Sequence, residues 1–317
     1  MSTLTLEVVA IDDTVPGIRT LTLARADRGV LPSFTPGSHI VIQCADGANA
    51  YSLTGETTSP REYVVSVLEC PQGRGGSRWI HRYLTVGATL VAHQPRSAFA
   101  PVLRASRHLL IAAGIGITPM VSHLRSARRW GRDVRLLYVH RQGRGAYVDE
   151  IGSLTGAAGP TTSGTDNAAF FTDRAAFLSE LLPTLAGQPF GTHVYICGPS
   201  QFIDDVVTAA TGFGWPPSRI HVEHFGGDLA PGDPFEVELS CSGDVFTVES
   251  GVSLLESLTA RGHSVPSLCH QGVCGECRVP VRSGSVLHRD LYLSDDERRD
   301  SMMACVSRGS GRVELEL

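Results

Sequence analysis

Short runs of alternating apolar and polar residues dominate the first third of the chain. The runs TLTLEVVAI, IRTLTLA, SHIVIQC, YSLTG and YVVSVLE are separated by Gly, Pro and Asp. A period of two places the apolar side chains on one face of a strand, and the turn residues keep the strands short. We therefore predict a small antiparallel barrel or sandwich over residues 1–102.

The pattern changes near residue 107, where HLLIAAG is the first of three continuous apolar runs; VRLLYVH and HVYICG follow. Such runs are typical of strands buried on both faces. They alternate with the helical stretches ITPMVSHLRSARRWG, DRAAFLSELLPTL and SQFIDDVVTAA. In the first stretch we expect Thr118 to cap the helix, Pro119 to begin it and Gly131 to end it. The alternation predicts a parallel α/β sheet over residues 103–226.

A Gly- and Pro-rich stretch, GGDLAPGDP, precedes a third region. We predict a linker at 227–234 and an α+β domain at 235–317. FEVELS and VFTVES predict a hairpin, and RVELEL predicts a final strand. Between them, SLLESLTARG carries a capping box from Ser253 to Glu256 and a terminating Gly262.

Composition excludes several classes of protein. Hydrophobic residues make up 42% and charged residues 19%, and the net charge is −5, so there is no basic surface for nucleic acid. The chain has no apolar run of about 18 residues and does not begin like a signal peptide. We expect a cytoplasmic protein without a membrane contact, whose eight cysteines do not form disulfides.

Four of these cysteines are candidate metal ligands. Their spacing is C-x4-C-x2-C followed by a distant fourth cysteine, which is the plant-type arrangement for a 2Fe–2S cluster. A structural zinc site is the alternative, although it usually shows two C-x2-C pairs. Four unrelated buried thiols are a third interpretation. The predicted ligands are Cys269, Cys274, Cys277 and Cys305.

The loop CHQGVCGEC closely resembles plant-type ferredoxins. Its glycines Gly272 and Gly275 would let backbone N–H groups approach the sulfurs. In that family an acidic residue usually stands at the position of His270, and Thr or a small residue at Glu276. The remaining thiols of Cys44, Cys70 and Cys241 are expected to be core residues, as distinct from Cys197, discussed next.

Two glycine-containing turns follow predicted buried strands. AAGIGITPM places Gly114 and Gly116 before a helix N-terminus, where N–H groups and the helix dipole stabilise an anion. A tight strand–helix turn needs glycine anyway, so this turn alone is weak evidence. Together with YICGPSQF, however, it resembles the ferredoxin–NADP reductase superfamily. The resemblance implies that Cys197 lies beside a nicotinamide ring, and it assigns to the dinucleotide Gly114, Ile115, Gly116, Cys197, Gly198 and Pro199.

The same resemblance implies a flavin site on the barrel. YSLTG is similar to the family's R-x-Y-S motif, with Asn49 in place of the arginine. Tyr51 would pack on the flavin and Ser52, near the ring, would hydrogen-bond it. For the phosphate, GRGGSRWIH predicts a helix N-terminus capped by Ser77. The further flavin residues implied are Ser66, Val67, Leu68, Arg74, Gly75, Gly76, Thr118 and Phe225.

The order of flavin barrel, nucleotide domain and ferredoxin domain resembles the phthalate dioxygenase reductase group. This implies FMN as the flavin. It also implies NADH, since AYVDE follows Arg141 as in the group's NADH members, although Arg141 and Arg144 could hold an NADPH phosphate. Electrons would pass from NADH through FMN and the cluster to an oxygenase.

The implied partner is most often a Rieske-type oxygenase or demethylase acting on an aromatic compound. The reductase of a haem monooxygenase is the alternative. Two other classes stay open: an electron carrier whose flavoprotein portion has decayed, and a free-flavin reductase. We expect a monomer.

Overall fold

The computed structural model describes residues 3–45, 47–71, 75–97, 99–156, 167–225, 232–290 and 292–317. These residues form three β-sheets. The chain divides into two compact units, one of residues 1–45 and 51–225 and the other of residues 46–50 and 226–317. No helix in the described ranges is both long and apolar enough to span a membrane.

The first sheet is an antiparallel, nearly closed barrel with one helix. Its elements are β1 (Thr3–Asp12), β2 (Ile18–Ala24), β3 (Ser38–Cys44), β4 (Gly47–Ser52), β5 (Glu62–Leu68), α1 (Gly76–Tyr83), β6 (Thr89–His93) and β7 (Arg96–Ser97). The strand order is β4–β3–β6–β1–β2–β5, with β7 on β3. A bridge from Leu53 to Val65 joins the two ends. Alternate residues such as Leu21 and Leu23 are fully buried, as the period of two predicts.

Helix α1 begins earlier than the sequence suggested. Its N-cap is Gly75, in the left-handed conformation with φ of 102°, which glycine adopts without steric cost. The prediction that Ser77 caps the helix was therefore wrong. Ser77 lies in the first turn, and its Oγ accepts a hydrogen bond from the Cys70 N–H at 3.1 Å.

The second sheet is parallel and carries helices. Its elements are β8 (Arg107–Ala113), α2 (Ile117–Trp130), β9 (Val134–Val139), α3 (Val148–Thr155), β10 (Ala168–Phe171), α4 (Arg174–Ala186), β11 (Thr192–Gly198), α5 (Ser200–Gly212) and β12 (Ile220–His224). The strand order is β10–β9–β8–β11–β12. The chain thus moves outward from β8, then returns to its other side at β11. Such a switch point is where open parallel sheets bind ligands, at the carboxyl ends of the strands.

The start of α2 also differs from the prediction. Gly116 is its N-cap and Ile117 its first residue, so the predictions that Thr118 caps the helix and that Pro119 begins it were wrong. The Thr118 hydroxyl donates to the Ile115 carbonyl at 3.0 Å instead. The predicted end is confirmed, because Gly131 follows the helix in the left-handed conformation with φ of 62°.

The third sheet is mixed and belongs to the second unit. Its elements are β13 (Phe235–Leu239), β14 (Val245–Val248), α6 (Leu254–Ala260), β15 (Arg278–Leu287), β16 (Ser301–Met303) and β17 (Arg308–Leu315), and the strand order is β14–β13–β17–β15–β16. The capping box of Ser253 and Glu256 at the start of α6 is confirmed. The multidomain fold class of barrel, parallel sheet and α+β domain is therefore confirmed. Most of the predicted linker, residues 227–231, lies outside the described residues.

Candidate functional site

The four predicted cysteine ligands lie together in the second unit. Cys269, Cys274 and Cys277 are on the loop before β15, Cys305 follows β16, and all are buried. They form two close pairs, in which the Cys274 thiol donates to the Cys269 sulfur and the Cys305 thiol donates to that of Cys277. Two thiols for each iron is what a two-iron cluster with four cysteine ligands requires.

The same arrangement argues against zinc. The four cysteines follow C-x4-C-x2-C with a distant fourth, whereas a structural zinc site usually shows two C-x2-C pairs. A structural zinc site needs four ligands around one ion. The spacing of the four thiols therefore fits a two-iron centre better than a zinc ion.

Hydrogen bonds lower the pKa of one thiol in each pair. The pKa of Cys269 is lowered to about 6, first by the bond from the Cys274 thiol and further by backbone N–H groups, against the opposing effect of burial. One of these donors is the Gln271 N–H, 3.3 Å from the Cys269 sulfur. The pKa of Cys277 is likewise lowered by the bond from Cys305. The same bonds raise the pKa of the partner thiols of Cys274 and Cys305. A thiolate is the form that binds metal, so one thiol of each pair is favoured in the form that the cluster needs.

Tight packing fixes the loop that carries three of the ligands. Gly272 has φ of 70°, and a Cβ there would lie 2.6 Å from the Val306 side chain. Gly275 has φ of 86°, and a Cβ there would overlap the ring of Tyr292. Both positions need glycine on conformational and steric grounds. The sequence predicted that these glycines let backbone N–H groups approach the sulfurs. The packing is a second reason why glycine is needed at both positions.

The two predicted nucleotide turns meet at the switch point of the parallel sheet. A Cβ on Gly116 would collide with the Cys197 carbonyl and lie 2.8 Å from the Gly198 nitrogen. Gly114, with φ of 56°, faces open space. The turn after β8 thus packs against the peptide after β11, and its neighbour Gly114 stays accessible. This fits a dinucleotide that needs close backbone approach at a helix N-terminus.

Cys197 is adjacent to a buried acid, Glu223, for which the sequence pattern predicted no role. Cys197 on β11 pairs in register with Glu223 on β12. Burial raises the pKa of Cys197, and Glu223 raises it further. Burial raises the pKa of Glu223 to about 8. The Oε2 atom of Glu223 has no hydrogen-bond partner in the described part of the protein. The predicted nicotinamide position therefore has an uncharged thiol and a polar carboxyl group able to bond a ligand.

Glu223 should give the protein an unusual pH dependence of stability. Between pH 4.5, the ordinary pKa, and about 8, the folded chain holds a proton that the unfolded chain has released. Stability therefore falls as pH rises through this window, by roughly 1.4 kcal/mol per pH unit from this group. We expect Glu223→Gln to remove that contribution in the nucleotide-free protein.

Urea unfolding at about pH 5.5 and about pH 7.5 measures the contribution of Glu223 to the free energy of unfolding. The change in unfolding free energy between the two pH values should differ between wild type and variant by roughly 2 kcal/mol. Comparison within this pair cancels the opposite contributions of His39 and His123, whose pKa values are lowered by burial. Identical pH slopes would show that Glu223 is not held in its protonated form.

The predicted flavin residues on the barrel include an unsatisfied buried hydroxyl. Ser52 is only 4% exposed, and its Oγ has no partner in the described residues. Buried polar atoms are rarely left unbonded, so this hydroxyl suits a hydrogen bond to a bound ring. Tyr51 beside it is half-buried and packs against the barrel core; Asn49 is half-buried too.

The start of α1 suits a phosphate group. Gly76 and Ser77 lie in its first turn, which holds no acidic residue. Free N–H groups and the helix dipole favour an anion there. The Arg78 guanidinium, for which the sequence pattern predicted no role, lies 3.9 Å from where a Cβ on Gly75 would stand. Arg74, the predicted basic group, lies outside the described residues.

The other predicted flavin residues differ in environment. The Val67 side chain is buried in the barrel core and Leu68 is 37% exposed. Phe225 is half-buried against the core of the parallel sheet, and Thr118 is buried. Ser66 hydrogen-bonds Thr20 and Tyr147. Their contact with a flavin stays a prediction, as do the roles of Ile115 and Pro199 toward the nucleotide.

Outside these sites, two thiols differ from expectation. Cys70 and Cys241 are exposed rather than core residues, and Cys44 is partly buried. All three lie in or beside strand-like sequence, and alternation along a strand does not tell which face is covered.

Similarity to known proteins decides the family. Residues 89–220 match the family described as "Dimethylamine monooxygenase subunit DmmA-like, N-terminal domain", and residues 237–309 match "2Fe-2S iron-sulfur cluster binding domain". The phthalate 4,5-dioxygenase oxygenase reductase subunit of Pseudomonas putida is 35% identical over 315 residues, covering 97% of this chain and 94% of that protein. The chain belongs to the phthalate dioxygenase reductase family. The reductase therefore combines a flavin, a pyridine nucleotide and a 2Fe–2S cluster.

Two further relatives extend over the whole chain. The solved structure of phthalate dioxygenase reductase has a TM-score of 0.70 and 29% identity, covering 100% of this chain and 98% of that one. The heme-dependent oxidative N-demethylase beta subunit of Ectopseudomonas mendocina (strain ymp) is 41% identical, covering 98% of both chains. The reductase is thus an oxidoreductase component that passes electrons to an oxygenase partner, as the sequence predicted.

Proposed function

We propose that the reductase takes electrons from NADH, uses FMN, and delivers the electrons one at a time through its 2Fe–2S cluster to an oxygenase. The observation that carries this proposal is the pairing of four buried thiols, two by two, in the second unit. A cluster of this type carries single electrons. A nicotinamide delivers a pair, so the chain needs a group that separates the two electrons, which is the chemistry that a bound flavin supplies.

The protein's own contribution is binding and orientation. The turn at Gly114 and Gly116 would hold the pyrophosphate by its N–H groups, and the Cys197–Gly198 peptide would border the nicotinamide. Ser52 would hydrogen-bond the flavin ring, and the start of α1 would hold the phosphate. No side chain has to act as a general acid or base; holding the reacting partners in the right geometry contributes most.

FMN is favoured over FAD by the family resemblance, and α1 offers a place for its terminal phosphate. We expect Arg78→Gln to weaken FMN binding by roughly fivefold to tenfold, because a charged partner of the phosphate is lost. Riboflavin, which has no phosphate, should bind the variant and the wild type equally well. Fluorescence titration of flavin-free reductase measures both.

The matched control is Arg82→Gln, at the other end of the same helix. It should leave FMN binding unchanged. An equal loss of FMN and riboflavin binding in Arg78→Gln would contradict a phosphate contact and indicate general damage to the barrel.

NADH is proposed as the donor on the resemblance of AYVDE to the NADH members. Arg141 and Arg144 are both exposed, and their residues form one tight turn, with the Arg144 N–H donating to the Arg141 carbonyl. A clear preference for NADPH in kcat/KM would overturn this choice. We further propose a monomer in the cytoplasm without nucleic acid or membrane contacts; the net charge of −5 offers nucleic acid no basic surface.

A Rieske-type oxygenase or demethylase acting on an aromatic compound is the partner that the sequence resemblance favours. A haem-containing oxygenase is the second candidate. It is supported by the 41% identity to the N-demethylase subunit, against 35% to the phthalate dioxygenase reductase subunit. Our proposal predicts NADH-driven substrate turnover when the purified reductase is combined with one of these oxygenases. A folded, stable chain that contains neither flavin nor iron would overturn it.

A further inference from the structure

One phenol connects the parallel-sheet region to the barrel within the first unit. The Tyr147 hydroxyl lies 2.5 Å from Ser66 Oγ and 3.1 Å from Thr54 Oγ1. Tyr147 immediately precedes α3, whereas Ser66 is on β5 and Thr54 follows β4. Nothing in the sequence pattern suggested that these three side chains meet.

The hydrogen bonds around this phenol fix the direction of each proton. Thr54 Oγ1 donates its only proton to the Val64 carbonyl at 3.2 Å, so Tyr147 must donate to Thr54. Tyr147 then accepts from Ser66. The Ser66 oxygen, in turn, accepts from Thr20 Oγ1 at 2.7 Å. A hydroxyl has one proton and two lone pairs. Ser66 is therefore left with one lone pair and no proton to offer another group.

The backbone that carries this phenol is held in an unfavourable conformation. Tyr147 has φ of 63°, in the left-handed region that residues other than glycine seldom adopt. The preceding residue is anchored, since the Ala146 N–H donates to the Tyr138 hydroxyl at 3.2 Å and that hydroxyl donates to the Gly114 carbonyl at 3.1 Å. Such strain persists only where the surroundings enforce it, and it concentrates at functional sites.

We propose that Tyr147 is a positioning residue of the flavin site, which holds the Ser66 hydroxyl as a hydrogen-bond acceptor toward the flavin ring. This inference rests on the proposed function, because it takes Ser66 as a flavin neighbour. An acceptor at Ser66 suits an N–H group of the ring and disfavours a ring atom that is itself an acceptor. Without the phenol, the Ser66 proton would be free to turn toward the ring.

A double-mutant cycle on flavin-free reductase titrated with FMN tests this role. We expect Ser66→Ala to weaken FMN binding by about tenfold, the usual effect of one buried hydrogen bond. Tyr147→Phe should weaken it by roughly threefold to tenfold. The double variant should bind no more weakly than Ser66→Ala, because Tyr147 acts through Ser66. The visible absorption band of bound FMN should shift in Tyr147→Phe as it does in Ser66→Ala.

The matched control is Tyr63→Phe, which removes another phenol of the barrel, one that donates to the Pro32 carbonyl. It should lower stability without changing FMN affinity or the absorption band. If Tyr147→Phe does not fold, Thr54→Val removes the group that receives the Tyr147 proton. The phenol is then free to donate to Ser66, and FMN binding should weaken severalfold.

The outcomes distinguish a failure of this inference from a failure of the proposed function. Unchanged FMN binding in Ser66→Ala would refute Ser66 as a flavin neighbour and with it this part of the proposed site. Weaker binding in Ser66→Ala, combined with wild-type affinity in Tyr147→Phe, would overturn the positioning role alone. Independent effects that multiply in the double variant would also overturn it.

Discussion

Replacing Cys274 with alanine is expected to abolish electron delivery to the oxygenase and to leave reduction of the flavin by NADH intact. The variant has three of the four thiols that form the two pairs, so the two-iron cluster cannot be held. Mutation of a residue that only supports a metal ligand lowers metal affinity or activity by up to about 100-fold. Loss of a ligand itself should lower them by at least as much. Iron content, the electron paramagnetic resonance signal of the reduced protein and NADH-driven turnover of the partner measure the effect.

The control for Cys274→Ala is Cys241→Ala, which removes an exposed thiol from the same unit. It should retain iron, signal and turnover. The two variants also distinguish the classes that the sequence left open. Partner reduction that survived in Cys274→Ala would indicate that the flavin reduces its acceptor directly, as in a free-flavin reductase.

Replacing Gly116 with alanine should have the second largest effect, on the reaction with NADH. The added Cβ would collide with the Cys197 carbonyl, so the two nucleotide turns must move apart. The carbonyl oxygen and carbon of Cys197 are backbone atoms, which cannot turn aside as a flexible side chain does. A displacement of about 1 Å at a reacting centre can slow a reaction about 100-fold. We expect a loss of this size in the rate at which NADH bleaches the flavin, measured by stopped flow without oxygen.

Flavin and iron contents should be unchanged in Gly116→Ala, because neither cofactor site contains this residue. Gly212→Ala serves as the control. Gly212 is the last residue of α5 in the parallel-sheet region. The same methyl group added there would have nothing within 4 Å. A wild-type rate in Gly116→Ala would show that the contact between the two turns is not needed to place the nicotinamide.

The sequence predicted best what depends on local pattern. The spacing of Cys269, Cys274 and Cys277 identified the cluster, because three ligands on one short loop leave a signature in the chain itself. The continuous apolar runs identified three strands of the parallel sheet for the same reason. Edge strands such as β10 (Ala168–Phe171) and β12 (Ile220–His224) were not predicted. They are only four and five residues long, and β12 has two His and one Glu among its five residues.

Features that depend on tertiary contacts could not be predicted. Glu223 lies beside Cys197 only because β12 pairs with β11. Tyr147 reaches Ser66 across 81 positions of the chain. Both helix starts that were misplaced, at Ser77 and Thr118, have glycine as the cap. In each case a hydroxyl that could cap the helix is used in another hydrogen bond, which the sequence alone does not reveal.

The central claim is that one chain accepts electron pairs from NADH and releases single electrons through its cluster. An anaerobic titration with NADH, followed by visible absorption and electron paramagnetic resonance, tests it most directly. Full reduction should consume about 1.5 equivalents of NADH per chain, because the flavin takes two electrons and the cluster one. The signal of a reduced 2Fe–2S cluster should develop as the flavin bleaches. If one equivalent of NADH bleached the flavin and the cluster stayed oxidised, the result would contradict the account.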